Sequence, residues 1–198
     1  MSPRRDPPRG RRAPVLTGRR RILIVCGAEK TESAYFKGLR DAQRLATMSV
    51  AVIEKGQASP DEVVRHAKRR AEGEDYDEVW CIVDVDRFER EGGKISEAVR
   101  LAEAAGIKVA VSNPCFELWL LLHREQCTAH CADCGVAERL LKRRLPAYDK
   151  TRLRFADFAG GVQVAVERAE RLEPTGREHT VNPSSGVWPL VKMILEQT

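Results

Sequence analysis

RRILIVCGAEKTESAYFKGLR, residues 20–40, joins a continuous apolar run to a segment of helical period through a short polar turn. ILIVC (22–26) is apolar at every position and rich in β-branched residues, the pattern of a strand covered on both faces in a parallel sheet. TESAYFKGLRDAQRLA (31–46) follows at helical spacing, with Thr31 as the expected N-cap and Tyr35, Phe36, Leu39 and Leu45 on or near the inner face. The same rhythm recurs downstream. MSVAVIE (48–54) leads to SPDEVVRHAKRRAEG (59–73), where Ser59 caps, Pro60 takes the first helical position and acids fill the first turn. DEVWCIVDVD (77–86) reads as a third strand through Val83, and KISEAVRLAEAAG (94–106) as a helix ending on Gly106. IKVAVSN (107–113) is a fourth strand, closed by NPCFELWLLLH (113–123), whose helix opens at Pro114. This alternation predicts an α/β fold with a doubly wound, four-stranded parallel sheet flanked by helices. The remainder predicts helices at 136–145, 162–172 and 185–197, a mostly helical C-terminal extension.

The chain has 198 residues, 42% of them hydrophobic and 32% charged, which suits one globular core and excludes a disordered chain. No window approaches the roughly 18 consecutive apolar residues of a membrane span, and the N-terminus lacks the apolar centre of a signal peptide. A cytoplasmic location without membrane contact is expected. The organisation read from composition is a basic tail at 1–19, an α/β core at 20–125 and a helical extension at 126–198 packed on it. The net charge of +5 is concentrated in the Pro- and Arg-rich tail, which reads as a disordered arm that could contact phosphates. Self-association is left open.

In sheets of this kind ligands bind beyond the carboxyl ends of the strands. Those places carry Glu29, Lys30 and Glu32, then Asp84 and Asp86, then Asn113 and Glu117. Asp84 and Asp86 lie two apart at a strand end, so both project to one side, offering hard oxygen ligands with room for water; Mg²⁺ or Mn²⁺ accepts such a set. Glu29 or Glu32 could complete the metal shell or act as base on a water, and Lys30 could contact a phosphate. The opposing reading of these acids is complementation of a helix dipole. Glu117 stands among Phe116, Leu118, Trp119 and Leu120, where a carboxylate needs a partner; a structural salt bridge is the alternative to catalysis.

The six cysteines, without a signal peptide, predict thiols rather than a disulfide framework. Cys26, Cys81 and Cys115 read as small core residues. Cys127, Cys131 and Cys134 with His130 have the local density of a structural Zn²⁺ knuckle, against free thiols in a loop.

ILIVCGAEKTESAYFKGLR (22–40), VDVDRF (83–88) and SNPCFELWLLLH (112–123) together resemble the RloB-like family, and LPAYDK (145–150) and NPSSGVWPLV (182–191) also look like family segments. The resemblance implies a Toprim-like core in which a glutamate after the first strand and an Asp-x-Asp after the third hold Mg²⁺ for phosphodiester chemistry on nucleic acid. It implies a role in phage defence or abortive infection, with an ABC/AAA-type ATPase partner. The family reads Cys-Glu-Gly-Glu-Lys-Thr-Glu at the first turn, whereas here Gly27 and Ala28 stand where Glu and Gly are expected. Two expectations follow: a nuclease using Asp84, Asp86, Glu29, Glu32, Lys30 and Glu117, weakened by Gly27, or a non-catalytic defence subunit that binds the ATPase.

Overall fold

A computed structural model describes residues 19–27, 30–43, 48–55, 58–85, 94–172 and 176–196. Four parallel strands, β1 (Arg20–Cys26), β2 (Met48–Glu54), β3 (Glu78–Asp84) and β4 (Lys108–Asn113), form the sheet, and β5 (Ser184–Ser185) adds an antiparallel edge. The order is β2-β1-β3-β4-β5. β5 is a fifth strand beyond the expected four, and the start of the last helix moves accordingly. Two residues carry no readable alternation, and what pairs them with Ser112 and Asn113 is tertiary.

β1 shows why the sheet is doubly wound. Ile22, Ile24 and Cys26 face one core together with α1 (Thr31–Gln43), α4 (Phe116–Leu122), α6 (Val162–Glu170) and α7 (Trp188–Leu195). Leu23 and Val25 face the other core, with α2 (Pro60–Ala71) and α3 (Lys94–Ala104). The successive side chains of a strand point to opposite faces, so a fully apolar run must be covered twice. α5 (Cys134–Arg144) packs against α4. Asp133 caps α5 through Val136 N, 2.8 Å away, and at α2 the Glu62 carboxylate accepts from Ser59 N at 2.8 Å, the reciprocal bond of a capping box.

The larger core is organised around Tyr35, whose ring meets Phe116, Trp119, His123 and Phe155 edge-on. The Tyr35 hydroxyl and His123 Nε2 are 3.0 Å apart, and His123 Nδ1 is 3.0 Å from Trp119 O. Burial pushes the His123 imidazole down to about 4. The unfolded chain takes up that proton near 6.5, so acid favours unfolding: this share of stability is present above about 6.5 and is lost as pH falls towards 4. Tm is therefore expected to fall less between neutral pH and about pH 5 in His123→Gln than in the parent, read by calorimetry.

Candidate functional site

With β2-β1-β3-β4 order, the strand connections diverge between β1 and β3, and the crevice beyond their carboxyl ends is where this topology binds ligands. Cys26 lies beside Ile82, and Gly27 N donates to Ile82 O at 3.0 Å. Asp84 follows Ile82 by two residues, so it stands on the same side of the sheet as Cys26 and α1, half-buried at the strand end. Glu32, in the first turn of α1, is 1% exposed and lies close enough to Cys26 to add to the upward push that burial gives its thiol. Two expected acids thus flank the crevice, Asp84 at the end of β3 and Glu32 in the first turn of the helix that follows β1. Glu29 and Asp86 lie outside the described residues.

Lys30, not Thr31, holds the cap position of α1. Its carbonyl accepts from Ala34 N at 2.9 Å and its φ is +75°, a left-handed conformation that costs a non-glycine residue roughly 1–2 kcal/mol. The Lys30 side chain is exposed. Thr31 Oγ1 instead donates to Lys150 O at 2.8 Å, tying the start of α1 to the loop after α5. Glu54, at the end of β2, accepts from Lys37 at 3.0 Å and from Ser33, and these bonds hold its carboxyl below its ordinary range.

Gly27 shows why this turn has no side chain at its first position. A Cβ there would meet Ile82 O and Val63 Cγ2, each at 3.1 Å, on the α2 side of the sheet. Gly27→Glu, which restores the residue of the family pattern, is expected to destabilise the fold by about 1–3 kcal/mol, seen as a lower denaturation midpoint.

Glu117 is buried on α4 under Tyr148, whose hydroxyl donates to Oε1 at 3.2 Å. Burial raises the Glu117 carboxyl above its ordinary value, an effect that the Tyr148 bond partly offsets. Cys134 Sγ is 3.8 Å from Oε2. The partner of this carboxylate is therefore a hydroxyl, and the salt bridge weighed from sequence is absent among the described residues. Tyr148 had no assigned role in the sequence; its only signal was the LPAYDK segment. Asn113 is structural: its amide donates to Glu178 O at 3.1 Å and accepts from Asn182 at 2.9 Å, fastening the β5 segment to the end of β4.

The cysteines are arranged otherwise than expected. Cys115 and Cys134 form a disulfide, which corrects the reading of thiols throughout. The four residues read as a zinc knuckle are separated: Cys134 begins α5 and is carried to Cys115, Cys127 and Cys131 lie with their sulfurs 3.7 Å apart, and His130 is exposed. The one group of three metal-ligand side chains within 4.8 Å of one another, among the described residues, is Cys115, Glu117 and Cys134. No described helix is long and apolar enough to cross a membrane.

A family model described as RloB-like protein matches residues 22–194. No curated protein matches the chain. Among solved structures, the psychrotrophic esterase EstA from Pseudoalteromonas sp., inhibited by monoethylphosphonate, aligns at 9% identity over 88% of this chain and 94% of that one. Its TM-score is 0.36, so the likeness carries no argument.

Proposed function

As the chain belongs to the RloB-like family, we propose that it is a Mg²⁺- or Mn²⁺-dependent phosphodiesterase that acts on nucleic acid in phage defence. The observation that supports this reading is that Asp84, at the end of β3, and Glu32, in the first turn of α1 after β1, lie on one side of the sheet beside the crevice. The donor chemistry fits: Asp84 offers hard carboxylate oxygens, half-buried at the strand end. Asp84 and Asp86, with Glu29, would hold the ion, which when bound polarises a phosphoryl oxygen and lowers the pKa of water. Glu32, or Glu29, accepts the proton of the attacking water. Lys30 reaches from the crevice rim to the phosphate. Glu117 acts as a positioning residue, holding Tyr148 in the loop after α5, whose Lys150 carbonyl accepts from Thr31 at the start of α1. The test is cleavage of DNA and RNA by the purified chain with Mn²⁺, compared with Asp84→Ala.

A second reading, a non-catalytic subunit that binds an ATPase in the cytoplasm, is favoured by Gly27. The acid of the family pattern is missing there, and the 3.1 Å contacts with Ile82 O and Val63 are those of a position adapted to glycine. Metal-dependent cleavage by the parent chain that Asp84→Ala abolishes decides against it.

A further inference from the structure

We propose that Cys115, Glu117 and Cys134 form a redox-gated Zn²⁺ site, closed to metal while the disulfide stands and open to it once the two sulfurs are reduced. The inference does not depend on the nuclease reading, in which Glu117 has only a positioning part and Cys115 and Cys134 have none.

Geometry carries it. One ligand atom from each residue lies within 4.8 Å of the other two; on reduction the two sulfurs have only to part from their bond to about 3.8 Å, the spacing of two thiolates each about 2.3 Å from one tetrahedral ion. The ligands come from two rigid elements: Cys115 precedes α4, Glu117 lies in its first turn, and Cys134 is the first residue of α5, which packs on α4. The group is therefore preorganised. Cys115 is fully buried and Glu117 nearly so, while Cys134 is half-buried and opens a route from solvent. Glu117 also shows the outer support of a metal ligand: Oε2 faces Cys134 at 3.8 Å while Oε1 is held by the Tyr148 hydroxyl at 3.2 Å. Its carboxylate forms no ion pair among the described residues, and its one hydrogen-bonding partner there, Tyr148, engages Oε1, so Oε2 is available to a cation.

The donor set selects the ion. Two thiolates and one carboxylate are too soft for Mg²⁺ and suit Zn²⁺, with water in the fourth position. The chemistry balances with a thiol reductant. Two equivalents of thiol cleave the Cys115–Cys134 S–S bond, leave two Cys–SH groups and depart as their own disulfide. Zn²⁺ then forms two Zn–S bonds and one Zn–O bond to Glu117, and the two thiol protons go to solvent.

Co²⁺ is the probe, added to the full chain after reduction with a phosphine, which leaves no competing thiol. Expected are about one Co²⁺ per chain with a thiolate-to-cobalt charge-transfer band, and no such band for the oxidised protein. Ions held by carboxylates alone do not give this band. The Cys115→Ser/Cys134→Ser double variant should lose it, Glu117→Gln should bind at least about tenfold more weakly, and Cys127→Ser/Cys131→Ser should keep it. Zn²⁺ should raise the Tm of the reduced parent by several degrees, a readout that needs no variant to fold. The proposal is overturned if the reduced parent gives neither band nor Tm rise. It is equally overturned if the band survives loss of Cys115 and Cys134 or needs Cys127 and Cys131, or if Glu117→Gln binds as tightly as the parent.

Discussion

Asp84→Ala is expected to lower Mn²⁺-dependent cleavage by at least about a hundredfold, because removing even an outer-shell partner of a metal ligand costs 10–100-fold and Asp84 is read as a ligand itself. Circular dichroism of both proteins separates loss of the metal from loss of the fold; the neighbouring bond, Val85 N to Ser112 O at 3.0 Å, is backbone to backbone and does not need the Asp84 side chain. The conservative Asp84→Asn keeps the shape and removes the charge, so it should fall nearly as far. Initial rates over a Mn²⁺ titration make the distinction. A ligand loss raises the metal concentration needed for half-maximal rate, whereas unchanged rates in both variants would leave the crevice without a catalytic metal and return the chain to the non-catalytic reading.

Trp119→Ala should be among the most damaging core changes, at about 3–5 kcal/mol, or a Tm lower by roughly 10 °C. Trp119 is fully buried, with its ring 6.1 Å from Tyr35 and 5.1 Å from His123. Truncation leaves a cavity that two other α4 residues, Phe116 and Leu120, cannot fill without leaving their own rotamers, since helix and sheet fix their backbones. Thermal unfolding followed by circular dichroism measures it. Trp119→Phe, which keeps most of the volume, should recover more than half of the loss, and equal losses in the two variants would mean that the cavity is not the cause.

The βα units were legible because their signals are local. An apolar run such as ILIVC, helical spacing in TESAYFKGLR and the Ser59–Pro60 start of α2 each act within a few residues, and the strands they predict agree with β1 to β4 to within two residues at either end. Gly106, read as a helix end, has φ +67°. The cap of α1 was misread by one residue, since Thr31 spends its hydroxyl on Lys150 O, a contact 119 positions away that no local rule contains.

The sequence by itself determined the alternating α/β architecture, the two-sided burial of its strands and the positions at which acids meet strand ends, because periodicity and capping act between near neighbours. Only the tertiary structure decided which of those positions share a face and which side chains meet. The order β2-β1-β3-β4-β5 puts Asp84 and Glu32 on the α1 side and points position 27 towards Val63. The packing of α4 on α5 joins Cys115 to Cys134 across 19 residues and sets Glu117 beside them. Such contacts depend on where whole elements dock, a balance of burial over both cores that no stretch of sequence carries within itself.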